Sequence, residues 1–339
     1  MAILLTCGDP HGIGLELLFR ALADGALDDA TCRQLTLCVP SVVAASYGDL
    51  LTRAGLIPPV EVTATALRVG SRSISLVECP APEYTPTFGI PSIESGRIAR
   101  AALEYGAAAM RGGQYDALVT LPVSKEALHW AGFPFAGQTE FFGHVAGCEP
   151  LMVLACQELR VALVTIHVPL EQVPPQVTFE REVQVIEQFH RALVEDFGMV
   201  SPRIAVLGLN PHAGEHGLLG EHEERIIAPA IAHVRQRGIA AHGPFAADGF
   251  FARGHWRSCD GVVAQYHDQG LIPLKMLAQG KGVNITAGLP FVRTSPDHGT
   301  AFDIVGTGRA TYASVLAAIA MAQYLATNRR RRIGYVSPS

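Results

Sequence analysis

The 339-residue sequence lacks the short motifs that mark the common nucleotide-binding and hydrolytic sites. It contains no GxGxxG, no GxxxxGK[ST], no GxSxG and no HExxH. The stretches GIGLEL and GTGRAT begin like the first motif but fail at the third glycine. A nicotinamide-dependent enzyme with this sequence would therefore bind its cofactor without the usual Rossmann fingerprint.

Cysteine is sparse and its spacing shows no pairing. The seven cysteines, at positions 7, 32, 38, 79, 148, 156 and 259, are odd in number and include no CxxC pair. Such a distribution argues against a disulfide framework and against a cysteine zinc cluster. It is typical of reduced thiols, so we expect a cytoplasmic protein.

Charge and long apolar runs are also scarce. Charged residues make up 17% of the chain and the formal net charge is −5, so no basic face is available for nucleic acid. The one basic run, Arg329 to Arg332, follows an apolar helical pattern and favours a solvated helix end. The N-terminal apolar run is too short for an export signal, and the helical pattern at 310–327 is broken by polar residues. We expect no signal peptide and no membrane span.

Short apolar runs alternate with longer helical patterns, which predicts an α/β fold with a largely parallel sheet covered on both faces. The candidate strands are Ile3–Cys7, Leu35–Pro40, Ala117–Leu121, Val161–His167, Ile204–Leu209 and Gly261–Tyr266. The candidate helices are Ser95–Arg111, Phe179–Phe197, Glu221–Arg237 and Ala310–Asn328. Residues 80–95 indicate an irregular connection or an antiparallel excursion. Because 339 residues are many for one core, two lobes are expected.

Polar side chains follow five of the six candidate strands. They are Asp9 with His11, Ser124 with Lys125, His167, Asn210 with His212 and Glu215, and His267 with Asp268. In open parallel sheets, ligands bind outside the carboxyl ends of the strands. The pattern therefore predicts that these five strand ends line one crevice.

Three of these residues, His167, His212 and His267, suggest a metal site. Successive members are 45 and 55 residues apart, so only a sheet that places the strand ends side by side would bring them together. Three neutral imidazoles suit Zn, Co, Ni or Fe and leave coordination positions open for substrate oxygens. The alternative is that each histidine is hydrogen-bonded separately at its own strand end.

Two aspartates are candidates for supporting roles. Asp248, in FAADGFF, and Asp268, next to His267, could hold an imidazole tautomer or act as a general base. A solvated loop carboxylate explains Asp248 equally well. Asp268 is favoured because it stands between His267 and Gln269 at a strand end.

A second set of polar residues lies between positions 275 and 293. Lys275, Asn284 and Arg293 could bind phosphate or carboxylate, although surface cations and an ordinary strand asparagine would give the same pattern. The block TSPDHGTAFDIVGTG follows and ends in a glycine-rich turn. That turn could approach a nucleotide or could simply reverse the chain.

Taken together, the motifs resemble the PdxA family, whose members are 4-hydroxythreonine-4-phosphate dehydrogenases of pyridoxal phosphate biosynthesis. The resemblance covers nearly the whole chain. It rests on GDPHGIGLE at 8–16, PVSKEAL at 122–128, AGFPFAGQTEFF at 131–142, LNPHAGEHGLLGEHE at 209–223, YHDQGLIPLK at 266–275 and VNITAGLPFVRTSPDHGTAFDIVGTG at 283–308. So many blocks in order are specific for the family.

The resemblance implies a fold like that of isocitrate and isopropylmalate dehydrogenases, with two α/β lobes and an active site in the cleft between them. It implies a first lobe of residues 1–128 and 302–339 and a second lobe of 129–301, which carries most site residues and the interface of a homodimer. It also implies NAD or NADP as the cofactor and a divalent metal such as Zn, Co or Mg. The metal ligands would be His167, His212 and His267, the last one from the neighbouring subunit.

The substrate-contacting positions that the resemblance implies are Thr139, Lys275, Asn284 and Arg293, together with position 138. The usual GHTE of the family is GQTE here, so Gln138 replaces a histidine. Glutamine still offers a neutral donor to a phosphate oxygen, but it cannot become cationic. Related family members act on threonate or erythronate phosphates or on aromatic cis-dihydrodiols, and the retained anion-binding set favours a phosphorylated substrate that bears a carboxylate.

The expected chemistry is oxidation of a secondary alcohol, with Asp248 or Asp268 as the base. Two proteins of other classes would share some of these features. A metal-dependent hydrolase could also use three histidines, with bound water as the nucleophile. A non-catalytic binding protein would tolerate His212→Ala without consequence.

Overall fold

The computed structural model describes residues 1–80 and 84–334, with side chains up to position 332. The strands, in chain order, are β1 (Ile3–Thr6), β2 (Leu35–Cys38), β3 (Val60–Val62), β4 (Ala66–Val69), β5 (Arg72–Val77), β6 (Ala117–Thr120), β7 (Leu151–Ala155), β8 (Arg160–Leu163), β9 (Arg203–Leu207), β10 (Ala240–Phe245), β11 (Gly261–Ala264), β12 (Val283–Ala287) and β13 (Val292–Pro296). The fold is α/β, as predicted from the alternating pattern.

Helices connect most of these strands. The α-helices are α1 (Gly14–Ala23), α2 (Asp29–Cys32), α3 (Ser41–Arg53), α4 (Ile93–Arg111), α5 (Lys125–Trp130), α6 (Gln138–Ala146), α7 (Val173–Gln176), α8 (Phe179–Glu195), α9 (Ala228–Gln236), α10 (Ala247–Ala252), α11 (His267–Ala278) and α12 (Ala313–Gly334). A π-helical turn, Glu223–Ile227, precedes α9. Short 3₁₀ turns lie at Leu170–Gln172, Pro211–Gly214, His255–Ser258 and Phe302–Ile304.

The chain divides into two compact units. The first comprises Met1–Cys148 and Leu289–Ala326, and the second comprises Glu149–Gly288 and the segment from Thr327. The sequence-based division placed its borders at 128/129 and 301/302 instead. The segment after 128 groups with the first unit because α6 packs on α4. The segment from Leu289 does so because β13 pairs with β6.

The first unit has a mostly parallel sheet in the order β13-β6-β1-β2-β5-β4-β3. β6, β1 and β2 are parallel, with Ile3 opposite both Ala117 and Leu35. Every residue of β1 and of β6 is buried, as the continuous apolar runs predict. Strands β3, β4 and β5, which pair with one another in antiparallel fashion, were not predicted, because their partial exposure and polar residues give a weak apolar signal.

The second unit has its own strands in the order β10-β9-β11-β8-β7-β12. β10, β9, β11 and β8 are parallel, whereas β7 is antiparallel to both β8 and β12. The last residues of three strands, Leu163, Leu207 and Ala264, lie in one hydrophobic cluster with Leu271 and Leu274 of α11. The strand ends that carry the predicted histidines are therefore held by close-packed core.

All six predicted strands and all four predicted helices are present, with corrected ends. α4 begins at Ile93 rather than Ser95, because Ser92 caps it by accepting a hydrogen bond from the Ser95 N–H at 3.0 Å. The predicted helix 221–237 begins with the π-helical turn and continues as α9. The predicted connection at 80–95 is irregular at 84–87, and positions 81–83 lie outside the described residues.

Two features of the helices bear on the expectations about charge and membranes. The basic run Arg329 to Arg332 lies in the last turns of α12, where cations complement the helix dipole. Among the residues that the structure describes, none of the helices combines the length and the apolarity needed to cross a bilayer.

Candidate metal and substrate site

The carboxyl ends of β8, β9 and β11 lie side by side in the second unit. Ala264 is opposite Leu163, and Val263 is opposite Val206. The contact between the β8 and β11 segments continues beyond the strands, since the Thr165 N–H and Oγ1–H both donate to the Gln265 carbonyl, at 3.2 and 2.7 Å. Two residues further along, each segment carries one of the predicted metal ligands.

The imidazole rings of His167 and His267 are neighbours, with their centroids 5.4 Å apart. A nitrogen ligand lies about 2.0–2.1 Å from zinc, so two imidazoles that share an ion hold their centroids roughly 5–6 Å apart. The His267 side chain is 34% exposed and the His167 residue is also exposed, so solvent reaches both rings. This donor pair fits a divalent ion of the zinc type.

Asp268 fixes the orientation of the His267 ring. Its Oδ1 lies 2.7 Å from Nδ1 of His267. A carboxylate at Nδ1 selects the tautomer that carries its proton there, which leaves Nε2 available as a ligand. Asp268 also lies in the first turn of α11, where the helix dipole favours a negative charge.

His267 was predicted at the end of a strand but begins helix α11 instead. β11 stops at Ala264, and the chain turns into the helix at Tyr266. Gly270 explains how close the helix comes: a Cβ there would lie 2.6 Å from Cγ1 of Val161. The glycine thus lets α11 pack directly on the strands and hold its first residue at their edge.

His212 lies on a tightly curved loop after β9. The backbone φ angles of His212, Ala213, Glu215 and His216 are all positive, between 42° and 57°. Such conformations are unfavourable for residues with a side chain and persist only where the surroundings impose them. The loop is therefore held in place from outside.

The buried carboxylate of Glu223 holds that loop. Glu223 is 2% exposed, and it accepts hydrogen bonds from the Asn210 N–H at 2.7 Å and from Asn210 Nδ2 at 3.1 Å. It lies in the π-helical turn, a feature often found at functional sites. No sequence pattern pointed to this role, because a glutamate in a helical pattern is usually solvated.

We expect Glu223→Ala to destabilise the protein by about 1–3 kcal/mol, because two partly buried donors of Asn210 would lose their acceptor. Urea unfolding measures this change. The exposed neighbour Glu224 is the matched control, and Glu224→Ala should change stability by less than about 0.5 kcal/mol. Equal effects of the two variants would contradict the anchoring role.

The structure brings two of the three predicted ligands together and leaves the third apart. No group of three histidine, cysteine, aspartate or glutamate side chains within 1–80 and 84–332 is arranged to hold a metal. His212 is exposed on its loop. The predicted trio therefore does not form one cluster within a single chain.

Gln265 and Gln269 link the three strand ends, a role that the sequence analysis missed. Gln265 Nε2 donates to the Leu207 carbonyl at 2.8 Å, and Gln269 Nε2 donates to the Gly208 carbonyl at 2.7 Å. Gln269 Oε1 accepts from the Gln265 N–H at 2.7 Å. These contacts tie the His267 segment to the strand that leads to His212.

Arg293, predicted to bind an anion, is a buried cation in the first unit. It is 2% exposed, and its Nη2 donates to Thr120 Oγ1 at 2.6 Å and to Gln138 Oε1 at 2.9 Å. Burial lowers the pKa of Arg293 to about 9, which the nearby Glu140 carboxylate opposes. The guanidinium is still cationic at neutral pH, and Gln138 orients it. Thr139, the next residue of α6, is buried.

The other predicted residues lie in the second unit. Lys275 is exposed on α11, and Asp248 is exposed in the first turn of α10. Asn284 is half-buried on β12, and its Oδ1 has no hydrogen-bond partner among the described residues although solvent does not reach it. A buried acceptor without a partner is unfavourable unless a ligand supplies a donor.

Other polar residues in the first unit, which follow the predicted strands or lie near them, have structural partners. Asp9 is 1% exposed and accepts hydrogen bonds from the His11 N–H at 2.9 Å and from Ser95 Oγ at 3.2 Å. Burial raises the pKa of Asp9 to about 6. Glu16 accepts the N–H groups of Gly306 and Gly308 at 2.7 and 3.1 Å, so the glycine-rich turn is tied to α1.

Comparisons with known proteins cover nearly the whole chain. Residues 30–322 match the family of the pyridoxal phosphate biosynthetic protein PdxA. The 4-hydroxythreonine-4-phosphate dehydrogenase of Geobacter metallireducens is 45% identical over 328 residues, which are 96% of this chain and 95% of that protein.

Solved structures of two differently named dehydrogenases also match nearly the whole chain. The crystal structure of the 4-hydroxythreonine-4-phosphate dehydrogenase from Klebsiella pneumoniae matches with a TM-score of 0.82 and 38% identity, over 96% of this chain and 98% of that chain. A terephthalate 1,2-cis-dihydrodiol dehydrogenase from Burkholderia xenovorans matches with a TM-score of 0.64 and 26% identity, over 96% and 98% of the two chains.

Proposed function

The chain belongs to the PdxA family of pyridoxal phosphate biosynthesis, and on that premise we propose that it is a 4-hydroxythreonine-4-phosphate dehydrogenase. The reaction oxidises 4-phosphohydroxy-L-threonine to 2-amino-3-oxo-4-phosphooxybutanoate. This β-keto acid then loses CO2 to give 3-amino-2-oxopropyl phosphate. The observation that carries the proposal is the His167–His267 pair at adjacent strand ends in a chain that matches the family over most of its length.

A nicotinamide cofactor, NAD or NADP, accepts the hydride in a dehydrogenase of this kind. A divalent metal, which we propose to be Zn, Co or Mg, supplies a Lewis acid that lowers the pKa of the substrate hydroxyl. His167, His212 and His267 would hold it. The contact between His267 and Asp268 supports this assignment, because metal-binding histidines commonly donate their second ring N–H to a carboxylate.

We assign the site to a homodimer whose subunits share ligands. The family resemblance assigns the contributed ligand to His267 of the neighbouring subunit. The ring contact between His167 and His267 in one chain supports a different division, in which these two act together and His212 is contributed across the interface. Either division places His212 and His267 on different subunits.

Substrate binding is assigned to residues that suit a phosphorylated amino acid. In the first unit, Arg293 is a buried cation whose guanidinium donates to Gln138 Oε1, and the neighbouring Thr139 offers a neutral hydroxyl. In the second unit, Lys275 supplies an exposed ammonium group. The unpartnered Oδ1 of Asn284 supports a contact with a donor of the substrate, such as its hydroxyl or amino group.

The proton of the substrate hydroxyl must leave as the hydride does, and we assign its removal to an aspartate. Asp268 is engaged by the His267 ring, which suits a group that holds a ligand. Asp248 is exposed and lies at the start of α10, so it suits a base that exchanges protons with solvent. We therefore propose Asp248 as the base and Asp268 as the residue that orients His267.

A substrate panel tests this function. With NAD and a divalent metal, we expect 4-phosphohydroxy-L-threonine to reduce the cofactor with a kcat/KM at least about 100-fold above that for threonate 4-phosphate, erythronate 4-phosphate or a cis-dihydrodiol, since a site built around one set of polar groups discriminates strongly. Absorbance of the reduced nicotinamide gives the rate. Preference for the dihydrodiol would assign the chain to that branch. Release of phosphate without NAD reduction would indicate a hydrolase.

A further inference from the structure

A fully buried carboxyl group lies beside the strand ends that carry the histidines. Glu182, near the start of α8, has 0% of its surface exposed. Helix α8 packs against β8 and β11. Neither carboxyl oxygen of Glu182 has a hydrogen-bond partner among the described residues. A carboxylate in such surroundings is strongly unfavourable.

The Glu182 carboxyl contacts the side-chain amide of Gln265, which is also fully buried. Gln265 Nε2 is engaged with the Leu207 carbonyl at 2.8 Å. Gln265 Oε1 has no partner among the described residues. The pair therefore has three buried oxygen acceptors and one remaining hydrogen, the second N–H of Gln265 Nε2.

The protonation state of Glu182 decides whether this contact is favourable. A carboxylate brings a charge and no donor, so the second N–H of Gln265 could satisfy only one of its oxygens, and Gln265 Oε1 would still lack a donor. A carboxylic acid instead supplies one O–H, which satisfies Oε1 and keeps Nε2 on Leu207.

We propose that Glu182 is a neutral carboxylic acid whose O–H donates to Gln265 Oε1 and that, through Gln265, it is a positioning residue for the histidine-bearing strand ends. Gln265 is the junction: its carbonyl accepts from Thr165, two residues before His167, and its amide binds Leu207 at the end of β9. Its own segment leads to His267. The positioning role rests on the proposed metal site; the neutral state of Glu182 does not.

Burial also supports the neutral state. It raises the pKa of Glu182 from an ordinary 4.5 to about 8, against smaller lowering effects of Gln265 and of the Arg181 guanidinium. Arg181 is engaged elsewhere, since its Nε donates to the Val164 carbonyl at 3.0 Å and its Nη1 to Glu149 at 2.9 Å. The Arg181 guanidinium therefore binds Val164 and Glu149 instead of forming a close ion pair with Glu182.

Three variants test the proposal. Glu182→Gln keeps a neutral donor at the same place, Glu182→Leu removes the donor, and Glu180→Gln changes an exposed carboxylate on the same helix as a control. Zn²⁺ titration of the metal-free protein by calorimetry should give wild-type affinity within about threefold for Glu182→Gln and Glu180→Gln, and about tenfold weaker binding for Glu182→Leu. Should Glu182→Leu not fold, Gln265→Met removes the same hydrogen bond from its other end.

Two readouts report the proton directly. Difference infrared spectra of wild type against Glu182→Gln near pH 7 should show the carbonyl stretch of a protonated carboxylic acid, which Glu180→Gln retains. In thermal melts, the melting temperature of Glu182→Gln relative to that of the wild type should rise from pH 4.5 to about pH 8 and then level off. The unfolded wild type releases this proton near pH 4.5 while the folded form keeps it, so rising pH favours wild-type unfolding in that window.

The outcomes separate the two ideas. Absence of the carboxylic acid band, or a loss of Zn²⁺ affinity in Glu182→Gln as large as in Glu182→Leu, would show that an ionised Glu182 is needed and would overturn the proposal. Unchanged affinity in a folded Glu182→Leu would overturn the positioning role. A wild type that binds no divalent metal would instead refute the proposed metal site, and the infrared band would still decide the state of Glu182.

Discussion

His212→Ala should lower NAD reduction by about 1,000-fold or more, because losing a metal ligand removes roughly 4 kcal/mol of transition-state stabilisation. His212 lies on an exposed loop, so its truncation leaves no cavity in the core. We therefore expect the thermal midpoint of the metal-free variant to stay close to that of the wild type. The rate is measured by the absorbance of the reduced nicotinamide with 4-phosphohydroxy-L-threonine.

The same loop offers a control for this prediction. His216 also has a positive φ of 57°, and its side chain is 99% exposed. His216→Ala should keep activity within about twofold, as expected for a surface position outside the site. Treatment of the wild type with a chelator should reproduce the His212→Ala loss, and added Zn²⁺ or Co²⁺ should restore it. Full activity after complete metal removal would refute the metal-dependent mechanism.

Mixing subunits should restore activity that neither parent variant has. If His212 and His267 serve one site from different subunits, co-expression of His212→Ala with His267→Ala gives heterodimers in which one of two sites has intact ligands. With equal expression, half of the dimers are mixed, so the preparation should reach about one quarter of wild-type activity. Differently tagged chains allow the mixed dimer to be purified and assayed alone.

A second mixture decides how the ligands are divided. Because the His167 and His267 rings lie 5.4 Å apart in one chain, we expect no recovery when His167→Ala is mixed with His267→Ala. Recovery in that mixture would place His267 on the other subunit from His167, as the family resemblance implies. No recovery in either mixture would mean that the ligands come from one chain, which would refute the shared site.

The fold class and the outline of the site could be read from the sequence because both depend on local pattern. β1 and β6 are buried on both faces, so their apolar runs stand out, as does the polar residue that follows each strand. The same rule missed β12, because VNITA carries polar residues although all but Asn284 are buried. Burial there comes from pairing with β7, a contact that no local pattern reveals.

Sequence alone therefore determined the α/β class and the family, because residue type and order are enough for both, and it predicted the three histidines as metal ligands. Only the tertiary structure decided which of the predicted histidines are in contact. The register of β11 against β8 places His267 beside His167, and His212 lies on a separate loop with positive φ angles. The tertiary structure also decided the supporting roles of Glu223, Gln265 and Glu182. A buried carboxyl or amide group acquires such a role from the hydrogen-bond partners and the burial around it, and these come from segments far apart in sequence.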